Sequence, residues 1–311
     1  MNSTPLKIIF MGTPDFAVPS LEKLYHSHHQ IQLVVTVPDK QQGRGRKLRA
    51  SAVKKSAQQF DLPTSQPEHL RDPAFIQEIK DLAPDLIVVV AFQILPVEVF
   101  TIPRFGSINL HASLLPRYRG AAPIHWALLN GDRESGVTTF FLKRRVDTGN
   151  IILQSSIPIN ADDNLFSLYA KLCNLGADLV LDTLDHIASG KVVEGEQNNK
   201  LATPAPKVTS ETQHLNFDES ADQCHNRVRA FAPKPGAFTY RNGVRLKVLL
   251  TELSDATGAP GEVIAVSADS FTVGCGSKSL IIKSVQPESK KAMPADSYLR
   301  GNPISIGDHF G

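Results

Sequence analysis

The chain reads as an α/β protein in two parts: a Rossmann-like, mostly parallel sheet domain, then a C-terminal OB-like β-barrel. Three observations predict this. The first half alternates apolar strand-like runs with helical patterns, as a sheet covered by helices on both faces requires. Asp85 to Ala91 reads Asp-Leu-Ile-Val-Val-Val-Ala, apolar without alternation, which suits a central parallel strand buried on both sides. Beyond a polar, proline-bearing stretch, about five short strand-like runs with glycine-rich breaks crowd into fewer than 80 residues, the pattern of a small barrel.

In order, Leu6 to Met11 is a short apolar strand, Gly12 to Asp15 a turn, and Phe16 to about His26 a helix. Ile31 to Val37 is the second strand, Asp85 to Ala91 the central one, and Gly106 to His111 another. Ala122 to Asn130 is expected to be helical, Gly136 to Leu142 and Ile151 to Ile157 to be strands. Asp163 to Ser189 carries leucines near helical spacing, with Gly190 just past its end. Gly195 to Lys207 is polar and then proline-bearing, a linker and not a packed element. One helix from Ser220 to Arg229 precedes the strands Ala237 to Tyr240, Leu246 to Leu250, Gly261 to Val266, Ser270 to Gly274 and Leu280 to Val285. The expected division is a catalytic domain over 1–190, a linker over 191–210 and a barrel over 211–311.

The 311 residues are 41% hydrophobic and 21% charged, which is ordinary for a soluble globular protein. No apolar run approaches the roughly 20 residues a membrane span needs, and the start leads directly into a strand without a secretory pattern. Cys173, Cys224 and Cys275 are odd in number and far apart, so reduced thiols in a cytoplasmic protein are expected. A net charge of +2 says nothing by itself about nucleic acid, but seven basic residues and one acid fall between Asp39 and Lys55. Arg117, Arg119, Lys143, Arg144 and Arg145 form a second basic group. Either group alone suits a solvated loop; together, near sheet ends, they suit a phosphate-rich ligand. Residues 211–311 balance eleven acids against eleven bases, so that domain is no generic polyanion binder.

The chemistry concentrates in Ser107 to Gly120. On a strand, Asn109 and His111 share one side, about 7 Å apart. Asp147 lies in a tight loop, Arg144-Arg145-Val146-Asp147-Thr148-Gly149. If these loops converge, an amide, an imidazole and a carboxylate surround one pocket. That trio suits acyl transfer to an amine: donors for a developing oxyanion, and a carboxylate to orient the imidazole or move the amine's protons. Singly, His111 equally suits a structural histidine, and Asp147 a turn former. The loop Phe92-Gln93-Ile94-Leu95-Pro96 after the central strand could line a slot for a flat ring or simply start a helix at Pro96. Gly12 to Phe16 occupies the place of a dinucleotide fingerprint without its glycines, and no P-loop, zinc-protease or serine-hydrolase motif is present.

These residues resemble the methionyl-tRNA formyltransferase family, folate-dependent enzymes that formylate the amino group of initiator methionyl-tRNA. The resemblance runs end to end through residues 11–19, Gly43-Arg44-Gly45-Arg46, Asn109-Leu110-His111, residues 113–124, Gly136-Val137-Thr138, Asp147-Thr148-Gly149, Arg229-Ala230-Phe231 and Pro235-Gly236-Ala237-Phe238. Asn-x-His, Ser-Leu-Leu-Pro and Asp-x-Gly recur across 10-formyltetrahydrofolate enzymes. The Gly43–Arg46 loop, Arg117-Tyr118-Arg119-Gly120 and the barrel entered through Pro-Gly-Ala-Phe distinguish the tRNA enzymes.

The resemblance implies that Asn109, His111 and Asp147 are catalytic and that 10-formyltetrahydrofolate is the co-substrate. Phe92, Gln93, Ile94 and Leu95 would form part of the pterin pocket, and Ser113, Leu114, Leu115 and Pro116 would contact the folate. Lys40, Arg44, Arg46, Lys47 and Arg49 would meet the acceptor end of the tRNA, with Arg117, Arg119 and Lys207 adding contacts. No tightly bound metal and no membrane are expected, and a monomer is. The chain departs from the family at Ala112, where proline is usual, at Gln93, at Lys143 to Val146 and at Lys234. The competing readings are a sugar N-formyltransferase acting on an amino-sugar nucleotide, a formyltetrahydrofolate hydrolase, and a non-catalytic RNA-binding protein on the same scaffold.

Overall fold

A computed structural model describes residues 4–42 and 47–311. Its packing divides the chain into two compact units, one of residues 1–120, 135–157 and 169–204, the other of residues 121–134, 158–168 and 205–311.

The first unit is organised by a seven-stranded sheet. Its strands are β1 (Lys7–Gly12), β2 (Gln30–Val35), β5 (Thr64–Ser65), β6 (Leu86–Val90), β7 (Ser107–His111), β8 (Glu134–Phe141) and β9 (Ile151–Pro158), in the order β5-β2-β1-β6-β7-β8-β9. The five strands from β5 to β7 are parallel; β8 pairs antiparallel with β7. Every residue of β6 is buried, as its unbroken apolar run predicts. On one face Ile9, Met11, Leu33, Val35, Ile87 and Val89 pack with Phe75 and Ile79. The alternate residues Ile8, Phe10, Val88 and Val90 are fully buried on the other.

Helices α1 (Val18–Tyr25), α2 (Ala52–Gln59), α3 (Pro73–Leu82) and α4 (Val97–Phe100) connect the parallel strands. Ser51 caps α2 through the Lys54 amide, and Asp72 caps α3 with Pro73 in its first turn. The basic segment expected as an irregular loop begins and ends as a hairpin: β3 (Lys40–Gln42) pairs antiparallel with β4 (Lys47–Arg49). Arg44 and Arg46, expected to meet RNA, lie outside the described residues, as does the Lys47 side chain.

The second unit includes α5 (Pro123–Leu129), the start of α6 (Leu165–Ala188), α7 (Ser210–Gln213) and α8 (Ala221–Phe231). Segments 121–134 and 158–168, assigned above to the catalytic domain, pack here because α8 offers them partners. His125 of α5 lies 5.4 Å from the Phe231 ring, and Arg229 donates to the Asn160 and Asp163 carbonyls. A reciprocal capping box between Ser220 and Gln223 starts α8.

The remaining strands, β10 (Ala237–Arg241), β11 (Val244–Ser254), β12 (Val263–Val266), β13 (Phe271–Gly274) and β14 (Ser279–Pro287), run in the order β10-β11-β14-β13-β12. A short β15 (Met293–Pro294) pairs with β14, ahead of α9 (Ala295–Gly301). The last residues of the chain bridge the two edge strands. Val263 N–H donates to Asp308 O, Phe310 N–H to Gly261 O, and Gly311 N–H to Tyr240 O. Gly261 has a φ of +82°, and a Cβ there would collide with the Phe310 carbonyl. Phe310 is 1% exposed and stacks on Phe271 at 5.4 Å.

Phe310 thus both fills the barrel core and anchors the closing segment. Phe310→Ala is expected to cost about 3–5 kcal/mol, read as a lower urea midpoint. A loss below about 1 kcal/mol would show that the closing segment is dispensable.

Candidate active site

The Asn109–His111 strand is β7, the last of the parallel set. Asn109 stands opposite Val89 and Phe140, and His111 opposite Thr138, so the two share a side as their spacing predicts. Asn109 is half-buried and His111 is buried. The imidazole Nε2 lies 2.8 Å from the Tyr118 carbonyl oxygen. A carbonyl only accepts, so Nε2 carries a proton and the tautomer is assigned. Nδ1 lies 3.9 Å from Asp147 Oδ2, too far for a direct hydrogen bond. The expectation that Asp147 orients the imidazole is therefore corrected: the Tyr118 carbonyl orients it, and Asp147 faces the opposite nitrogen across a gap.

Strand β8 runs antiparallel to β7, so its end at Phe141 lies opposite Ile108 and not His111. The segment after it must turn back to bring Asp147 to the imidazole. Gly149 permits this, since a Cβ there would coincide with the Phe141 carbonyl oxygen. Asp147 itself adopts φ +53°, an uncommon conformation for a residue with a side chain. Its carboxylate accepts a hydrogen bond from the Gly120 amide at 2.9 Å.

Gln197 holds the other side of this loop. Its Nε2 donates to the Asp147 carbonyl at 3.0 Å and the Gly149 carbonyl at 2.8 Å. Its Oε1 accepts from Arg119 Nε at 3.0 Å and Nη2 at 2.7 Å. Gln197 belongs to the stretch read as a linker, and that stretch, though mostly exposed, is tied to the site by hydrogen bonds. Gly195 bridges Ile151 on both backbone groups, and Thr203 accepts from the Arg119 amide and, through its hydroxyl, from the Tyr118 amide. A polar composition concealed this, because two of its polar side chains, Gln197 and Thr203, bond backbone groups of the site. Nothing in the sequence singled Gln197 out.

The loop from Ala112 to Gly120 is pinned from beneath. Thr138 donates to the Ser113 carbonyl at 2.6 Å and accepts from the Leu115 amide at 3.1 Å. Gln154 donates to Thr138 Oγ1 and to the Leu115 carbonyl. Ser113 is 1% exposed, with its hydroxyl donated to the Arg117 carbonyl at 2.6 Å, and Leu115 is 3% exposed. These two shape the loop; Leu114 and Pro116 keep some surface. In the loop after β6, Leu95 is buried and Phe92 packs against the core, while Gln93 is exposed and Ile94 is 76% exposed.

Among the basic residues, Lys40, Arg49, Arg117 and Lys207 are exposed. Lys54 is paired with Asp39 at 2.8 Å. Arg119 is turned inward to Gln197; burial, and then the positive charge of Arg145, hold its guanidinium below the ordinary value. Lys143, Arg145, Thr148 and Asn199 are among the residues lining a cavity of about 280 Å³ beside the Asp147 loop. Among the described residues, His28, His29 and Asp185 have ligand-type atoms within 4.8 Å of one another. The Leu6 amide donates to His29 Nδ1 at 3.1 Å, which leaves the neutral ring's proton on Nε2, facing Asp185 at 3.3 Å. A nitrogen that carries the ring's proton has no lone pair to offer a metal ion. All three cysteines are buried free thiols, and no described helix is long and apolar enough to cross a membrane.

Residues 6–184 match the formyl transferase family model, and residues 207–303 match the model of the formyl transferase C-terminal domain. A methionyl-tRNA formyltransferase of Geobacter sulfurreducens is 44% identical over 98% of this chain and 97% of its own length. One from Moorella thermoacetica is 43% identical over 98% and 99%. Among solved structures, an N-formyltransferase from Helicobacter canadensis in complex with folinic acid and dTDP-3-aminofucose superposes with a TM-score of 0.68 at 23% identity. That match covers 91% of this chain and 99% of the other and shows a shared fold.

The Asp147 loop depends on the absence of a side chain at 149. Gly149→Ala is expected to push the loop off Gly120, so that the Gly120 amide loses protection and exchanges its hydrogen at least about tenfold faster, while β6 amides keep theirs. Unchanged exchange at Gly120 would refute this packing.

Proposed function

This chain belongs to the methionyl-tRNA formyltransferase family, and from that premise we propose that Asn109, His111 and Asp147 carry out its reaction. The protein transfers the formyl group of 10-formyltetrahydrofolate to the amino group of methionyl-initiator tRNA. Supporting this placement of the chemistry is one observation above all. The His111 imidazole and the Asp147 carboxylate face each other 3.9 Å apart, on the side of β7 that Asn109 shares.

A nitrogen placed between them reaches both at about 2.8 Å, ordinary hydrogen-bond distance. The methionyl amine fits that description. It attacks the formyl carbon, a new C–N bond forms, and the carbonyl oxygen takes the developing negative charge. The Asn109 amide donates to that oxygen. His111 adds a donor at Nδ1 when the ring carries both protons, with Asp147 as its counter-ion. Donors already aimed at the charge need no reorganisation during the step. The amine sheds its proton to the Asp147 carboxylate. As the bond from the formyl carbon to N10 breaks, that same proton passes to N10, which leaves as the neutral amine while Asp147 returns to its carboxylate form. No covalent enzyme intermediate is required.

The exposed Ile94 and the anchored Phe92 and Leu95 offer the pterin an apolar surface backed by the core. Ser113 and Leu115 act on folate indirectly, by holding the loop whose Leu114 and Pro116 remain accessible. Residues 1–190 supply the chemistry, and 191–210 complete the site through Gln197 and Thr203. The barrel of 211–311 supports the body of the tRNA. Lys40, Arg44, Arg46, Lys47 and Arg49 meet the acceptor end, with Arg117 and Lys207 adding positive charge.

Formyl transfer should occur from 10-formyltetrahydrofolate to charged initiator tRNA, and not to an amino-sugar nucleotide; preference for the sugar would overturn this function. Asn109→Ala and Asp147→Ala should each lower kcat about 10²–10³-fold. A loss under tenfold in both would remove them from the chemistry. Arg44→Ala with Arg46→Ala should weaken tRNA binding and flatten its salt dependence by roughly 0.7–0.9 per lost phosphate contact, leaving folate affinity unchanged. An unaltered slope would exclude Arg44 and Arg46 from the tRNA interface.

A further inference from the structure

We propose that Gln197 is a positioning residue for formyl transfer: it fixes the Asp147 loop at the angle the reaction needs and couples it to Arg119 beside Gly120. The inference rests on Asp147 acting in the chemistry.

The argument begins with what Asp147 lacks. Its backbone stands in the left-handed region at φ +53°, where an L-residue persists only if its surroundings hold it. Among the described residues its carboxylate has one hydrogen-bond partner, the Gly120 amide, and the imidazole at 3.9 Å does not restrain it. The carbonyls of Asp147 and Gly149 bracket the loop, and both accept from the same Gln197 nitrogen. The oxygen of the same amide accepts twice from Arg119. These bonds close a ring from Asp147 through Gly120, Arg119 and Gln197 back to Asp147. A loop emerging from the wrong end of β8 is thereby tied to the loop that follows β7.

The ring also dictates its residue type. Two acceptors on one side and a guanidinium on the other need a group that donates and accepts at once, which a primary amide does. Glutamate would satisfy Arg119 but set a negative oxygen against two carbonyls. Leucine would fill the space and make none of the four bonds. Asparagine is one methylene short.

Gln197→Leu and Gln197→Glu decide the matter, assayed in the full chain with 10-formyltetrahydrofolate and charged initiator tRNA. Displacement of a reacting group by about 1 Å can cost 10²-fold, so kcat should fall about 10–100-fold in both, with either KM within threefold. Because Gln197 acts through Asp147, the two losses should not multiply. In an Asp147→Asn background, Gln197→Leu should remove less than a further threefold. A kcat within twofold of the parent in either folded variant overturns the proposal, as do fully multiplicative losses. If Gln197→Leu does not fold, Gln197→Glu carries the same test with the Arg119 contact kept. Full turnover by Asp147→Asn would instead overturn the role of Asp147, whereas an inactive Asp147→Asn beside an active Gln197→Leu overturns the positioning role alone.

Discussion

The hydrogen bond from the Gly120 amide to the Asp147 carboxylate joins two loops that the sheet would otherwise keep apart. One follows β7 and carries the continuation of the Asn109–His111 strand. The other follows β8, whose antiparallel course leaves it at the opposite end of that strand. Bringing them together asks for a chain reversal tight enough to exclude a side chain at 149 and a left-handed backbone at 147. Each is unfavourable for a typical residue. They persist because Gln197 satisfies the Asp147 and Gly149 carbonyls that the reversal exposes, while Thr203 and Thr138 hold the Tyr118 and Leu115 amides of the loop it must meet. The site is thus an assembly of loops braced by backbone hydrogen bonds above a rigid parallel sheet.

That arrangement separates two jobs of positive charge. Lys40, Arg49 and Arg117 face solvent, where long-range attraction and phosphate contact are possible at little desolvation cost. Arg119 spends its guanidinium on a neutral amide next to the carboxylate loop. Partial burial beside Arg145 makes that location costly for its charge, and the cost is tolerated because the planar donor fork spans Gln197 Oε1 with two bonds. Lys54 is absorbed by Asp39, which Gln66 also holds. The effective charge of the basic segment is smaller than its composition suggests, and among its described residues Lys40, Arg49 and Lys55 are exposed.

In the second unit the closure between β10 and β12 is made by the chain's final residues. A small barrel with an open side would expose the unpaired edges of both strands. The bridge removes that liability and buries Phe310 against Phe271. Helix α8 then serves as the surface on which segments 121–134 and 158–168 pack, so this unit draws on three separate stretches of sequence.

Local pattern was enough to identify most elements, because periodicity and caps act over a few residues. The buried run of β6, the alternation at Asn109 and His111, the helix α8 and the strands β10 to β14 were legible directly. Residue chemistry together with motif spacing pointed to the amide–imidazole–carboxylate trio and to the family. What the sequence could not supply was anything set by contacts between distant residues. It did not show that Tyr118, and not Asp147, orients His111, or that Ser113 is turned inward. Nor did it show that Gln197 in an apparent linker braces a loop 50 residues earlier, or that Phe310 helps close a barrel begun at Ala237. Hydrogen bonds of this kind depend on where the folded backbone leaves unsatisfied carbonyls and amides. That is a property of the tertiary structure, for which polar residues such as Gln197 carry no periodic signal.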